Sequence, residues 1–137
     1  MQKLLLSALL ALAATGLFAQ QKDNKDLKQY MLIVRYNTDA KPDPATIKDN
    51  MQHWGAFIGG LAQEGKLVTG LRPAQEGRTI SGKDKAVKEG PYVANNDIVS
   101  SFFVVKAADL DDATTIAKKC PIYELGGSVE IRAVMNN

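Results

Sequence analysis

His53 is the only histidine of this 137-residue chain, and it directly precedes the only tryptophan, Trp54, in the stretch MQHWGAFIGGLAQEGKL, Met51 to Leu67. A lone imidazole suits general acid–base work because its ordinary pKa lies close to neutrality. Asp49 stands four residues earlier, where one helical turn would bring a carboxylate to the imidazole and raise its pKa. The apolar residues Ile47, Met51, Trp54, Ile58 and Leu61 recur at steps of three and four, the mark of one helical face. At 100° per residue His53 falls about 100° from the centre of that face, beside Phe57. A histidine at such a seam is partly desolvated yet reachable, which fits a base or acid as well as a boundary packing residue. Gly60, two turns on, either leaves room for a ligand or lets the helix pack closely.

A second set of candidates lies in two apolar segments of strand length. In QYMLIVRYN, if Leu32 and Val34 face the helices, then Met31, Ile33 and Arg35 point the other way. The same alternation in GGSVEIRAV sends Glu130 and Arg132 to the side of Arg35. Two arginines and a glutamate on a largely apolar face must pair with each other or serve a ligand. They form either an ion pair at a subunit interface or a carboxylate-binding site. Ser101 and Tyr92 have hydroxyls to lend to either.

Other chemistries lack their residues. One histidine and one distant cysteine cannot make a zinc site, so no metal is expected. No G-x-S-x-G, P-loop or G-x-G-x-x-G pattern occurs, and no cofactor is expected. Cys120, in AKKCPIYE, reads as a small buried apolar side chain near a helix end, with two neighbouring lysines as the argument for a reactive thiol instead.

The positioning elements follow from pattern. Strands are expected at Gln29 to Asn37, at KLVTGL and at DIVSSFFVVKA, with a closing strand in GGSVEIRAV. A helix is expected from Pro44 to Glu64, ended by Gly65, and a second in DLDDATTIAKK with Asp109 as its N-cap. GRTIS and KAVKE read as the arms of a hairpin around GKD, its charges a solvated surface. Without that hairpin the order is βαββαβ, an α+β ferredoxin-like fold with two helices on one face of an antiparallel sheet. Both alternating sets of the long strands are largely apolar, so the open sheet face should pack on something. A second copy is the economical partner.

The first twenty residues, MQKLLLSALLALAATGLFAQ, hold one lysine, an apolar run of leucine and alanine, and the small Ala19 before polar QKDNKD. That is the layout of a secretory signal peptide, and the run is short for a membrane span. An uncleaved anchor is the alternative, and no cysteine stands there to carry a lipid. Residues 21–28 read as a polar tether and 29–135 as the domain, periplasmic or secreted, without stable membrane insertion after cleavage. The formal charge of +2 falls to about +1 without Lys3, too little to steer a polyanion, so nucleic acid is not expected as a partner.

The segment Lys85 to Val134 resembles the C-terminal half of the YCII-related proteins, especially the subgroup marked by a D-G-P-F motif. The likeness rests on the motif region EGPY, the apolar strand, the acidic start DLDDA, the phrase CPI and the ending GGSVE-R. The YMLIVRY strand and a helix whose histidine precedes QEGKLVTG agree in the first half, so the resemblance spans about residues 29 to 134. It implies a ferredoxin-like dimer, the dimeric α+β barrel, with a cleft holding a helix histidine and a nearby aspartate. His53 takes the histidine's place. Where the subgroup has D-G-P-F this chain has Glu89-Gly90-Pro91-Tyr92, so Glu89 is the carboxylate the resemblance offers, and Tyr92 adds a hydroxyl.

Two functions of different class fit these residues. One is an enzyme in which His53, with Asp49 or Glu89, moves a proton on a small organic acid held by Arg35 or Arg132. The other is a non-catalytic periplasmic homodimer that binds a small ligand or is structural.

Overall fold

A computed structural model describes residues 27–135. The reading of residues 1–20 as a signal peptide lies outside the described residues, as does that of residues 21–28 as a tether except at Leu27 and Lys28, and Lys28 already begins the first strand. Among the described residues no helix is long and apolar enough to cross a membrane.

Strand β1, Lys28–Asn37, leads through the turn at residues 38–40 to helix α1, Pro44–Gln63. Asp43 caps α1, its carboxylate accepting from the amides of Ala45 and Thr46 at 3.0 Å each, and Pro44 occupies the first turn, where its missing N–H costs nothing. Strand β2, Leu67–Leu71, follows, then the hairpin β3, Arg78–Ser81, and β4, Ala86–Glu89. Strand β5, Asp97–Ala107, precedes helix α2, Leu110–Ala117, which Asp109 caps through the amide of Asp112 at 2.8 Å. A short 3-10 helix, Pro121–Leu125, connects α2 to the last strand, β6, Ser128–Ala133.

The main sheet has the order β2-β5-β1-β6 with all neighbours antiparallel, and β3-β4 forms a separate two-stranded sheet. This is the α+β, ferredoxin-like βαββαβ arrangement with an inserted hairpin. Burial alternates along β1, with Tyr30, Leu32 and Val34 buried toward the helices and Met31, Ile33 and Arg35 half-buried on the other face. Leu32, Val34 and Val105 are fully buried, and each such side chain contributes about 1.5–3 kcal/mol by leaving water. Ile116, Ala117, Cys120 and Ile122 close the helix side of that core. The reading of Cys120 as a small buried side chain holds: it is free and buried, and desolvation pushes its thiol up to about 11.

Two irregularities matter for the sites. The pairing of β1 with β5 slips between Val34 and Arg35, so that Val34 faces Ser101 and Arg35 faces Val99. Ser100 is therefore the extra residue of a β-bulge, the device that re-aims side chains at the edge of a cavity. At Gly70, in β2, a Cβ would lie 2.5 Å from Cδ1 of Phe103, so only glycine lets the Phe103 ring lie flat against that strand.

Candidate functional site

α1 borders a different cavity on each flank. Asn50 and Leu61 form its buried ridge. On one flank His53, Ala56, Phe57, Gly60 and Glu64 line a groove of about 460 Å³, closed on its far side by Ile116, Lys119, Pro121 and Glu124. On the other flank Ile47, Met51, Trp54 and Ile58 border a larger cleft of about 640 Å³ against β2 and β5. The steps of three and four foreseen in the sequence thus place Trp54 and His53, chain neighbours, in separate cavities.

His53 does not meet the carboxylates that the sequence suggested. Its Nδ1 lies 2.9 Å from Oε1 and 3.0 Å from Oε2 of Glu124, on the 3-10 helix. Asn50, one turn before His53, donates through Nδ2 to the same carboxylate, at 2.9 Å from Oε2, and to the carbonyl of Pro121 at 2.7 Å. Asn50 is buried, so this double donation ties the 3-10 helix to α1 and sets the Glu124 oxygens in place. The Glu124 hydrogen bond raises the His53 pKa above its ordinary 6.5, Glu124's charge adds to the rise, and Asp49 contributes only a smaller Coulomb pull. Reciprocally, the bond from His53 and then that from Asn50 hold the Glu124 carboxyl below its ordinary value.

The consequence is chemical. With Nδ1–H committed to Glu124, Nε2 is the nitrogen left to take or give a proton. The His53 side chain is 56% exposed, so this nitrogen is open to a ligand rather than sealed behind Trp54 and Phe57. Two cations border the groove. Lys66 pairs with Glu64 at 3.1 Å, and Lys119 makes no ion pair among the described residues.

The remaining candidates are scattered. Glu89 stands on β4 and accepts from Nε of Arg78 at 2.7 Å across the hairpin, so the structure does not bring it to His53. Short hairpin arms pair with each other, and that pairing turns Glu89 toward its cross-strand neighbour. Tyr92, 71% exposed in the connection from β4 to β5, borders neither cavity. Arg35 and Arg132 do meet, as the alternation foresaw, by sharing Glu130: Arg35 at 2.8 Å from Oε2 and Arg132 at 3.1 Å from Oε1. The two arginines hold the Glu130 carboxyl below its ordinary value. This trio lies on the open sheet face and borders neither cavity, so its geometry is that of an ion-pair cluster. Ser101 is buried and opens into the larger cleft beside Ser100.

Glu124 and Asn50 were missed because the first lies 71 residues from His53 and the second reads as one more polar position on α1. A local signal existed. Pro121 opens and Gly126 closes PIYELGG, and Gly126 adopts the left-handed conformation with φ 74° that ends a helical turn.

The model of one family, described as the YCII-related domain, matches residues 29–136. This chain belongs to the YCII-related family. No curated protein matches this YCII-related chain. Among solved structures, a similar chain is the 5-chloro-2-hydroxyhydroquinone dehydrochlorinase of Burkholderia phenoliruptrix AC1100 in complex with 2,5-dihydroxybenzoquinone. It is 18% identical, with a TM-score of 0.43, over 79% of this YCII-related chain and 95% of the other.

Proposed function

We propose that this chain is an exported YCII-related protein that binds a small organic acid in the groove beside α1, with His53 and Glu124 as its acid–base dyad. The observation that carries the reading is the grip of one carboxylate on Nδ1 of His53, on a half-exposed ring that lines the groove and whose Nε2 makes no hydrogen bond among the described residues. Glu124 fixes the ring's orientation and favours the imidazolium, so His53 starts a reaction cycle as a proton donor over a wider pH range than a free histidine. Lys119, which lines the same groove as Lys66, supplies the positive charge for the ligand's carboxylate. The reaction class this supports is proton transfer in an elimination, isomerisation or hydrolysis.

The protein is further proposed to act as a homodimer of the D-G-P-F type, with the open sheet face covered by a second copy. Met31, Ile33 and Phe102 are half-buried on that face, with the Arg35–Glu130–Arg132 cluster at their edge. That cluster favours a second reading, a non-catalytic periplasmic dimer, in which the arginines serve the interface.

The test is the thermal midpoint of the chain lacking residues 1–20 against a panel of small organic acids, with His53→Ala and Glu124→Gln beside the wild type. A ligand that binds only the folded state raises the midpoint by mass action, by about 2.7 kcal/mol of stability at one hundred times its Kd. The dyad reading expects one acid class to stabilise the wild type and to lose its effect in both variants. Equal shifts in all three proteins, or none in any, would remove His53 from the site.

A further inference from the structure

We propose that the larger cleft, between the first half of α1 and strands β2 and β5, is a second small-molecule site that takes a flat aromatic acid. Its volume of about 640 Å³ lies within the range of small-ligand pockets. Trp54 and Phe103 form one wall, their rings stacked with centroids 5.8 Å apart and planes 18° from parallel. Ile47, Met51 and Leu71 stand at the cleft although they are 42%, 70% and 60% exposed. Three large apolar side chains gathered at one opening are what an apolar ligand body would cover.

The polar groups of the cleft specify the other half of the ligand. Ser101 is only 8% exposed, yet its hydroxyl makes no hydrogen bond among the described residues, and neither do the Trp54 indole N–H and the Tyr36 hydroxyl. None of these atoms is sealed from solvent, so each remains available to a ligand. The β-bulge at Ser100 is what brings two successive serines to one cavity, since regular pairing would send them to opposite faces. Ser100 already donates to the carbonyl of Val34 at 3.4 Å, which leaves Ser101 as the free donor. Arg72 borders the cleft and forms no ion pair among the described residues. Unpaired donors and a guanidinium beside a stacked aromatic wall match a planar ring that carries a carboxylate.

This site does not rest on the dyad. His53 borders the other flank of α1; Asn50, which lines the cleft, has its amide already spent on Pro121 and Glu124, and Phe57, which lines the groove, meets the cleft's aromatic wall through its ring edges on Trp54 and Phe103.

The probe is 1-naphthoate, titrated calorimetrically into the purified protein, with emission from Trp54, the only tryptophan, as a local reporter. Binding with a Kd on the order of 100 μM is expected for a ligand of this size, together with quenching of Trp54. Arg72→Gln, at an exposed position that leaves the fold alone, and Ser101→Ala should each weaken binding about five- to tenfold. 1-Naphthalenemethanol, the same ring without charge, should bind about tenfold more weakly, and His53→Ala should bind as the wild type does. The proposal fails if neither heat nor quenching is seen. It fails equally if naphthoate binds as tightly to both cleft variants, or if affinity falls in His53→Ala and in neither of them. A wild-type loss of acid binding at the His53 groove would leave these results untouched, so the two sites stand or fall separately.

Discussion

His53 and Glu124, 71 residues apart in the chain, meet with both carboxylate oxygens within 3.0 Å of one ring nitrogen. The pair joins α1 to the 3-10 helix before β6, and each partner moves the other's proton affinity.

The pH dependence follows from these directions. The His53 pKa is raised in the fold, so its contribution to stability is complete below the ordinary 6.5 and disappears as pH rises through the folded value. Glu124 is lowered, so its contribution is present above its ordinary 4.5 and disappears as pH falls through the folded value. The pair stabilises most between about pH 4.5 and 6.5. Because the chain has one histidine, an NMR titration reads His53 without assignment. Glu124→Gln should return its pKa toward 6.5, Asp49→Asn should move it slightly, and Glu89→Gln should leave it where it was. A larger effect from Asp49 than from Glu124 would contradict the dyad.

Gly70 is expected to be irreplaceable. A methyl group there would lie 2.5 and 2.7 Å from two carbons of the Phe103 ring, which is itself buried. Gly70→Ala should cost about 1–3 kcal/mol, the usual range for overpacking, and should shift Trp54 emission because Trp54 stacks on Phe103. Urea unfolding followed by fluorescence measures both. An unchanged midpoint would show that the ring yields without cost.

Cys120 should be inert in the folded protein. Burial raises its thiol to about 11 and hides it from reagents, so iodoacetamide at pH 8 should modify it at the rate of unfolding and rapidly in urea. Fast labelling of the native protein would show that the 3-10 helix opens locally.

The open sheet face supplies the last expectation. Ile33 lies across from Phe102 on one neighbouring strand and Glu130 on the other, at the middle of that face. If a second copy covers it, sedimentation velocity should find a dimer that Ile33→Lys converts to monomer without loss of fold. A monomeric wild type at high concentration would remove the proposed interface.

Much of the architecture was legible because it is written in short-range terms. The alternation in YMLIVRY, the steps of three and four from Ile47 to Leu61, the cap at Asp109 and the first-turn proline Pro44 each depend on residues within a few positions, and the strands and helices formed where those patterns stand. Even the meeting of Arg35 with Glu130 and Arg132 was readable, since side-chain direction in a strand has period two and the pairing joins the two strands side by side.

The site was legible only in part. The sequence by itself determined that His53 sits at the seam of α1, because helical periodicity places it there. Which carboxylate reaches it was decided by tertiary structure alone. Asp49 is near in sequence, but Glu124 is delivered by packing of the 3-10 helix against α1, clamped by the buried amide of Asn50. The two-cavity division of α1 and the paired serines of the larger cleft arise in the same way, from the docking of the helix on a sheet whose pairing slips by one residue at Ser100. Contacts between distant segments depend on how the whole chain packs, and no local periodicity encodes them.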